Sequence, residues 1–232
     1  MTNKITEEIK YLNVNELKPF EEHPFKVRID EEMDELVDSI RENGVVSPII
    51  ARPHKDGGYE IISGHRRAKA CEILQLEQAP VIVKDIDDDT AVILVVDSNL
   101  NRENILPSEK AFAYQMRLEA MNRKAGRPKK ENATPVVSDF DRQRSNEVLA
   151  SEVGESREQI RRFIRLTNLV PELLELVDEG KMKMRPAVEI SYLDEDCQRD
   201  LVDEIDLNDC TPSHDQTIRM RKMFEEGKLT PE

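Results

Sequence analysis

The chain has 232 residues, of which 38% are hydrophobic and 35% are charged, and it contains no tryptophan. This length allows one large domain or two modest ones, and the composition favours helices with narrow apolar faces over a thick β-sandwich. No apolar run approaches membrane-spanning length and the polar N-terminus has no signal-peptide core, so we expect a cytoplasmic protein with no membrane partner.

The formal net charge of −14 does not exclude a DNA-binding protein. Net charge governs solubility and long-range steering, whereas DNA binding requires only a local cationic face. Three cysteines, Cys71, Cys197 and Cys210, are odd in number and too widely spaced for a disulfide framework or a metal clip. We therefore expect reduced thiols. The histidines are scattered as well, and we assign none of them to a metal.

The first part of the chain alternates helix-like and strand-like segments. Apolar residues at helical spacing predict a helix over 30–43 that ends at Gly44. A second helix is predicted after Gly64 and a third over 90–100. Short β-prone runs predict strands over 11–14, 48–52, 59–62 and 80–84, with a hairpin turn at 54–58. This order predicts a small mixed α/β domain over residues 1–106.

From Pro107 onward the pattern is helical throughout, which gives an α+β chain overall. Pro107, followed by Glu109, is typical of a first helical turn. The predicted helices span 107–123, 145–152, 156–167, 171–179, 186–193, 196–205 and 212–226, with a loop or linker over 124–144. We assign 107–193 to a helix-turn-helix domain and 194–232 to a helical extension.

The strongest mechanistic pattern is a helix-turn-helix over 145–166. A short helix ends at Gly154, where glycine permits a left-handed turn, and a second helix begins at Ser156 with Gln159 as a capping-box partner. Ala150 is small enough to let the two helices approach closely. The second helix is expected to bury Ile160, Phe163 and Ile164.

The remaining side chains of the second helix form a basic face suited to DNA. In this motif the second helix enters the major groove, and arginine can engage guanine edges or phosphate oxygens in pairs. The candidates are Ser156, Arg157, Gln159, Arg161, Arg162 and Arg165. Base or near-base contacts are expected from Ser156, Arg157 and Arg161. Phosphate or structural roles are expected for Arg162 and Arg165. The alternative is an ordinary helical hairpin whose arginines pair with nearby glutamates such as Glu155 and Glu158.

A second basic cluster surrounds the Gly-Arg-Pro sequence at 126–128. Its members are Arg123, Lys124, Arg127, Lys129 and Lys130. Such a loop can follow a phosphate backbone or enter an A·T-rich minor groove, and we count Arg127, Lys129 and Lys130 as DNA-binding candidates. A solvated linker explains the same composition equally well.

A strand-to-helix junction at 61–68 carries the sequence Ile-Ile-Ser-Gly-His-Arg-Arg-Ala. Backbone N–H groups and the helix dipole favour an anion at such a junction, and two adjacent arginines can clamp a polyphosphate. Ser63, Gly64, Arg66 and Arg67 are therefore candidates for phosphate binding. Alternatively, the arginines pair with the acidic segment 85–89.

This junction and several later segments resemble the ParB partition-protein family. Gly-His-Arg-Arg at 64–67 is similar to the family's Gly-Glu-Arg-Arg, and 99–103 and 106–111 resemble its Asn-Leu-Gln-Arg and Pro-x-Glu-x-Ala segments. The likeness extends over about residues 10–195, with the helix-turn-helix in its expected place. It implies a ParB/sulfiredoxin-type first domain that binds CTP with Mg²⁺ and thereby becomes a DNA-sliding clamp.

By position, the resemblance implies which residues hold the nucleotide. Gly64, Arg66 and Arg67 would hold phosphates, Asn99 would face the nucleotide or its metal, and Ser63 would line the pocket. Arg102 would belong to the same segment. His65 also falls in the pocket, but it and Ser98 replace acidic residues that resemble metal ligands in relatives, and Mg²⁺ prefers oxygen ligands. We therefore expect at most a slow CTPase. A sulfiredoxin reaction is not expected, because its catalytic cysteine would fall at Gly64.

The family resemblance also implies partners. We expect double-stranded DNA, a homodimer and a ParA-type ATPase, in the partitioning of a chromosome, plasmid or mobile element. Relatives continue into a C-terminal dimerisation domain, for which this chain has no equivalent length, so either that domain has been removed or the helices present support dimerisation. The alternatives are a transcriptional regulator with a degenerate nucleotide pocket and a ParB-like phosphotransferase.

Overall fold

The computed structural model of the chain describes residues 8–21, 23–100, 102, 104–125 and 147–229. Two compact units are present, Met1–Asn101 and Arg102–Glu232. The first unit contains a mixed sheet with helices and the second is helical, which confirms the predicted α+β class. None of the described helices is long and apolar enough to cross a membrane.

Five strands build the sheet of the first unit. They are Ile9–Asn13 (β1), Leu17–Lys18 (β2), Ile49–Pro53 (β3), Tyr59–Ser63 (β4) and Gln78–Val83 (β5). The spatial order is β1-β5-β3-β4-β2. β1 and β5 are antiparallel, as are β3 and β4, whereas β3 runs parallel to β5 and β2 parallel to β4. The two-residue strand β2 was not predicted, because two residues are too short to show alternation.

Three helices accompany this sheet: Glu31–Asn43 (α1), His65–Ile73 (α2) and Asp88–Leu100 (α3). α2 and α3 contact strands, whereas α1 packs against α2. α1 begins one residue after the predicted start, because Asp30 caps it and its side chain accepts a hydrogen bond from the Met33 N–H. The helix ends at the predicted Gly44, which has a φ of 70°. The core between helix and sheet contains Ile49, Val81 and the buried thiol of Cys71. α2 follows strand β4 directly, and α3 packs against the same strand.

The second unit consists of seven helices within its described part. They are Pro107–Ala125 (α4), 147–153 (α5), Arg157–Arg165 (α6), Pro171–Asp178 (α7), Met184–Ile190 (α8), Glu195–Asn208 (α9) and His214–Glu225 (α10). Their apolar faces share one core, in which Leu149, Ile160, Leu173 and Ile190 are almost completely buried. α8 begins two residues before the predicted start, and Pro186 lies within its first turn.

A buried glutamine ties α9 to the turn that follows α6. The Gln198 side chain is 1% exposed. Its Oε1 accepts a hydrogen bond from the Val170 N–H at 2.8 Å, and its Nε2 donates to the carbonyl oxygens of Asn168 and Leu193, both at 3.0 Å. Because buried polar groups require partners, these three bonds fix the path of the chain between α6 and α7.

Candidate nucleic-acid interface and nucleotide site

The turn between α5 and α6 has the geometry expected of a helix-turn-helix. Gly154 adopts the left-handed conformation with a φ of 70°. The Ser156 hydroxyl caps α6 by accepting a hydrogen bond from the Gln159 N–H at 3.1 Å. Ile160 and Phe163 are buried beneath α6, whereas Ile164 is only half-buried, so the prediction of a fully buried Ile164 was wrong. The helix thus turns a narrow apolar face to the domain and leaves the rest of its surface accessible.

The arginines of α6 differ in how the domain engages them. Arg161 is exposed, and Arg162 is half-buried. Arg157 is exposed and forms an ion pair with Glu147 of α5, with 2.6 Å between Nη1 and Oε1. The hairpin alternative expected the arginines to pair with nearby glutamates, and Arg157 does so, although its partner is Glu147 and not one of the two examples named, Glu155 and Glu158.

Arg165, at the end of α6, is held within the domain. Its guanidinium donates hydrogen bonds to the hydroxyl and carbonyl oxygens of Ser191. It also stacks on the ring of Tyr192, with Cζ 4.0 Å from the ring centroid, and Arg221 of α10 lies 3.6 Å from the same centroid. Two guanidiniums therefore contact one aromatic ring, an arrangement that cation–π attraction stabilises. These contacts favour the structural role over the phosphate contact for Arg165.

The Glu155 carboxylate lies under the turn and fixes the start of α6. No pattern in the neighbouring sequence indicates this role. Lys110 of α4 forms an ion pair with Glu155 at 3.1 Å, and its Nζ lies 5.4 Å from the centroid of the Phe163 ring. The Tyr114 ring meets Phe163 edge to face at 5.7 Å. Burial, together with the nearby Glu155 carboxylate, raises the pKa of Tyr114 above its ordinary value of 10.0. Glu155 is thus an anchor for the turn.

The second basic cluster is described only in part. Arg123 and Lys124 are exposed in the last turn of α4. The predicted DNA-binding residues Arg127, Lys129 and Lys130 lie outside the described residues.

The strand-to-helix junction of the first unit is formed where β4 runs into α2. Ser63 is half-buried at the end of β4, and Gly64 precedes α2 with a φ of 101°. No side chain caps this helix. A Cβ at Gly64 would lie 2.9 Å from Nη2 of Arg67, so glycine allows both the backbone conformation and the close approach of that guanidinium. Uncapped N–H groups beside a guanidinium make this helix start suitable for an anion.

The two arginines of the junction point to different parts of the unit. Arg67 donates hydrogen bonds to the carbonyl oxygens of Ser47 and Pro48, and burial lowers its pKa. Arg66 forms ion pairs with Asp30 at 3.2 Å and Glu32 at 3.0 Å, at the start of α1. The predicted pairing with segment 85–89 was wrong for both of them.

It is Arg52, on strand β3, that contacts the acidic segment. Arg52 pairs with Asp88 at 2.7 Å and with the buried Glu60 of β4 at 2.6 Å. Glu60 also accepts a hydrogen bond from the Glu21 N–H at 3.3 Å. The sequence reasoning missed this pair, although a glutamate within a strand of apolar residues is a signal for a buried ion pair.

His65 is buried and engaged with the segment that precedes α1. Its Nε2 accepts a hydrogen bond from the Phe20 N–H at 3.3 Å, and its ring centroid lies 4.0 Å from that of His23. Together with Glu60, it holds the backbone of residues 20–21 against the sheet. These contacts give His65 a structural role in place of the metal-ligand role implied for the family's glutamate.

The remaining predicted nucleotide residues are Asn99 and Arg102. Asn99 is buried in α3, where its amide donates to the Val95 carbonyl at 2.7 Å and to the Ser98 hydroxyl at 3.2 Å. α3 packs against β4, the strand that leads to Gly64. Arg102 is exposed and belongs to the second unit.

The donor set fits a polyphosphate better than it fits a protein-bound Mg²⁺. The described residues contain no group of three or more histidine, cysteine, aspartate or glutamate side chains able to hold a metal ion. At the two positions with acidic family residues, His65 accepts a backbone N–H and the Ser98 hydroxyl donates to the Val95 carbonyl at 3.0 Å. Neither supplies the anionic oxygen that Mg²⁺ prefers.

These features define a helix-turn-helix protein with a separate α/β domain that presents a helix start suited to phosphate. The family model of the ParB N-terminal domain matches residues 2–100, and that of the ParB HTH domain matches residues 139–214. The chain belongs to the ParB family. The resemblance inferred from the sequence is thereby confirmed.

Relatives with assigned roles agree with this assignment. The chain is 33% identical over 166 residues to the chromosome-partitioning protein Spo0J of Thermus thermophilus, covering 72% of this chain and 53% of the relative. It is 29% identical over 226 residues to the nucleoid occlusion protein of Bacillus cereus, covering 97% and 70%. The chain spans about half the length of the first of these relatives.

The crystal structure of a C-terminally truncated chromosome-partitioning protein ParB from Caulobacter crescentus, complexed to the centromeric parS site, has a TM-score of 0.50 and 21% identity. The likeness covers 92% of this chain and 98% of that one. It shows that the two proteins share a fold.

Proposed function

We propose that this chain is a DNA-binding protein of the ParB partition type that binds double-stranded DNA through α6 and a cytidine nucleotide at the start of α2. The observation that carries the proposal is the arrangement of α6. Its apolar side is locked by Ile160 and Phe163, its start is fixed by Ser156 and Glu155, and Arg161 remains exposed. A helix presented in this way can enter a major groove without rearranging the domain.

For DNA, each arginine of α6 has a distinct proposed role. Arg157 and Arg161, near the start of the helix, are placed for base edges, as the first turns of a recognition helix usually are. Arg162 suits a phosphate, because it lies on another side of the helix. Arg157 must leave Glu147 to reach DNA, and an exposed ion pair of this kind contributes only about 0–1 kcal/mol. The domain therefore offers little resistance to that change.

For the nucleotide, we propose that the uncapped N–H groups of α2 and the guanidinium of Arg66 hold the phosphates. Arg66 would exchange Asp30 and Glu32 for phosphate oxygens, whereas Arg67 would keep the loop at Ser47 in place. CTP is the nucleotide that the family resemblance implies. His65 and Ser98 supply no anionic oxygen. The proposed nucleotide binding therefore relies on the arginine and the backbone N–H groups alone, and we expect CTP hydrolysis to be slow at most.

Fluorescence anisotropy with the full chain tests DNA binding. The probes are a labelled duplex selected from a random pool by this protein and a scrambled duplex of the same composition. Arg161→Ala is expected to weaken binding to the selected duplex by about 1–3 kcal/mol and to relax its sequence preference. Arg162→Ala is expected to weaken binding to both duplexes equally. It should also reduce the salt dependence of the affinity by an amount equal to about one phosphate contact.

The matched control is Arg199→Ala, which removes an exposed arginine of α9 that pairs with Glu195 at 3.0 Å. It should leave both affinities unchanged. If no duplex is enriched, or if Arg199→Ala weakens binding as much as Arg161→Ala, the proposed interface is wrong.

Isothermal titration calorimetry with CTP, ATP and GTP, with and without Mg²⁺, tests the nucleotide site. We expect CTP to bind selectively and Arg66→Ala to abolish most of the affinity. Arg41→Ala is the control, because Arg41 is an exposed arginine of the same unit that pairs only with Asp38 within the described residues. Unchanged affinity in Arg66→Ala would locate the site elsewhere, and equal loss in both variants would mean that a general loss of positive charge, and not this site, is responsible.

A second candidate function follows from the contacts of His65. With its ring bonded to the Phe20 N–H and packed on His23, the pocket lacks a family metal ligand, which is what a transcriptional regulator with a degenerate pocket would show. This function would be supported if the chain binds DNA but shows no heat of binding for CTP, ATP or GTP in the calorimeter. A homodimer, a ParA-type ATPase and nucleoid or plasmid association remain predictions, testable by sedimentation and by co-purification.

A further inference from the structure

The end of α6 is joined to α10 through one aromatic ring. Tyr192 lies in the turn after α8, and Cζ of Arg165 stands over its ring at 4.0 Å from the centroid. Cζ of Arg221, on α10, stands over the same ring at 3.6 Å. The quadrupole of an aromatic ring attracts a guanidinium in this position. The ring therefore links the last residue of α6 with α10, and we call Arg165, Tyr192 and Arg221 the Tyr192 bridge.

Further contacts hold both arginines of the bridge in place. Arg165 donates hydrogen bonds to the hydroxyl and carbonyl oxygens of Ser191, which is 2% exposed. Arg221 forms ion pairs with Glu189 of α8 at 3.1 Å and with Glu225 of α10 at 2.8 Å. These two carboxylates reduce the repulsion between the two guanidiniums, because they offset the charge of one of them. The bridge thus connects α6, α8 and α10.

Helix α6 depends on contacts with the rest of the domain at both of its ends. It has 9 residues, and a helix of this length is only marginally stable alone in water. Its start is fixed by the Ser156 cap and by the ion pair between Lys110 and Glu155. At its end, Leu166 is buried and Arg165 makes the contacts with Ser191 and Tyr192. The Tyr192 bridge is therefore a side-chain anchor for the last turn of α6.

The turn that this anchor holds carries two arginines proposed to contact DNA. Arg161 and Arg162 precede Arg165 by four and three residues, which is about one helical turn. Fraying of this turn would therefore displace both side chains. Base contacts determine sequence preference and require placement to about 0.5 Å, whereas the attraction to phosphates acts over a longer range. Loss of the anchor should thus reduce the preference for one DNA sequence more than it reduces general DNA binding.

We propose that Tyr192 and Arg221 are positioning residues that hold α6 in the orientation in which it reads a DNA sequence. They act through Arg165. Helix α10 begins at His214, the residue at which the match to the ParB HTH domain ends. The helix that follows the matched domain therefore contributes to the sequence preference of the chain. This inference rests on the proposed DNA-binding function of α6.

The test compares two arginines of the same helix in the full chain, with the selected and scrambled duplexes as probes. Arg221→Ala removes one member of the bridge, whereas Arg219→Ala removes an exposed arginine two positions away. Both variants lose one positive charge, so the net charge that attracts DNA changes equally. Arg221→Ala should lower the preference for the selected duplex about three- to fivefold, and Arg219→Ala should preserve it.

Substitutions of the ring test whether its aromatic face is what holds Arg165. Tyr192→Phe retains that face and should keep the preference for the selected duplex. Tyr192→Leu retains an apolar side chain without a ring quadrupole, and it should lower the preference as much as Arg221→Ala does. Hydrogen exchange of the amides in the last turn of α6 should be faster in Tyr192→Leu and Arg221→Ala than in Arg219→Ala, because the turn has lost its anchor.

Arg161→Ala is measured alongside these variants, because it tests the DNA interface itself. If Arg161→Ala leaves the preference unchanged, the proposed interface is wrong and this inference fails with it. If Arg161→Ala lowers the preference but Arg221→Ala and Arg219→Ala have equal effects, the interface stands and the positioning role alone is refuted. Full preference in Tyr192→Leu would refute that role as well, because the ring would then stabilise the domain without orienting α6.

Discussion

Replacing Gln198 by leucine tests whether the buried amide, and not merely its volume, holds the turn between α6 and α7. Leucine fills nearly the same space but can neither donate nor accept a hydrogen bond. The change therefore removes partners from the Val170 N–H and from the carbonyl oxygens of Asn168 and Leu193. The consequence depends on which of these groups water can reach.

The structure separates the three groups by exposure. Val170 is 5% exposed and Leu193 is 6% exposed, whereas Asn168 is exposed and its carbonyl can bind water instead. A buried group left without a partner costs about 1–3 kcal/mol, so we assign about 2 kcal/mol to the Val170 N–H and about 1 kcal/mol to the Leu193 carbonyl. Gln198→Leu should therefore lower the free energy of unfolding by about 3 kcal/mol. For a unit of this size, that corresponds to a fall in Tm of about 10 °C.

Urea unfolding followed by circular dichroism measures the loss, and hydrogen exchange of the Val170 amide reports the same site directly. The control is Gln115→Leu, because the Gln115 amide donates to Glu119 at 3.0 Å on the surface of α4. That variant should change stability by no more than about 0.5 kcal/mol. If Gln198→Leu lowers the free energy of unfolding by less than about 1 kcal/mol and the Val170 amide stays protected from hydrogen exchange, the three hydrogen bonds do not fix this turn.

Two further predictions concern the junction and the anchor beneath the helix-turn-helix. Gly64→Ala should destabilise the first unit by about 1–2 kcal/mol, because a Cβ at this φ is strained, and should also weaken CTP binding by displacing Arg67; unchanged urea unfolding and calorimetry would contradict this. Because the pKa of Tyr114 is raised in the folded state, that state keeps a proton that the unfolded chain releases, so stability should fall as pH rises above about 10. In urea unfolding at a series of pH values, Tyr114→Phe should reduce this loss of stability, whereas Tyr11→Phe should not. If stability falls equally with pH in the two variants, Tyr114 is not its cause.

Most elements of the fold were predictable because their signals are local. The helix predicted over 30–43 was found as Glu31–Asn43, since its cap at Asp30 and its stop at Gly44 are both written in adjacent residues. Strand β2 had no such signal. Its two residues pair in parallel with Tyr59 and Glu60, more than forty positions away, so only the tertiary structure defines them.

The candidate sites were predictable in position but not in contacts. Gly64 was identified from its place between a strand and a helix, and it does lie between β4 and α2; its left-handed φ of 101° was not part of that prediction. The partners of His65 and Glu155 were not predictable. The Phe20 N–H lies 45 positions from His65, and Lys110 lies 45 positions from Glu155. Reasoning from neighbouring residues assigned Glu155 to arginines of α6, whereas packing gives it to α4.

The contacts of the arginines indicate which of them can serve a ligand. Arg52 is 14% exposed and paired with a Glu60 side chain that is 4% exposed, so breaking the pair would leave an uncompensated buried charge. Arg157 and its partner Glu147 are 54% and 59% exposed, and Arg66 and Glu32 are 26% and 71% exposed. Water can replace a partner in the latter pairs, which are each worth about 0–1 kcal/mol. An incoming phosphate or base edge therefore competes with weak pairs at Arg157 and Arg66, and with a fixed one at Arg52. By this criterion the arginines proposed to bind ligands in the two units are distinguished by how easily their partners exchange, not by the absence of partners.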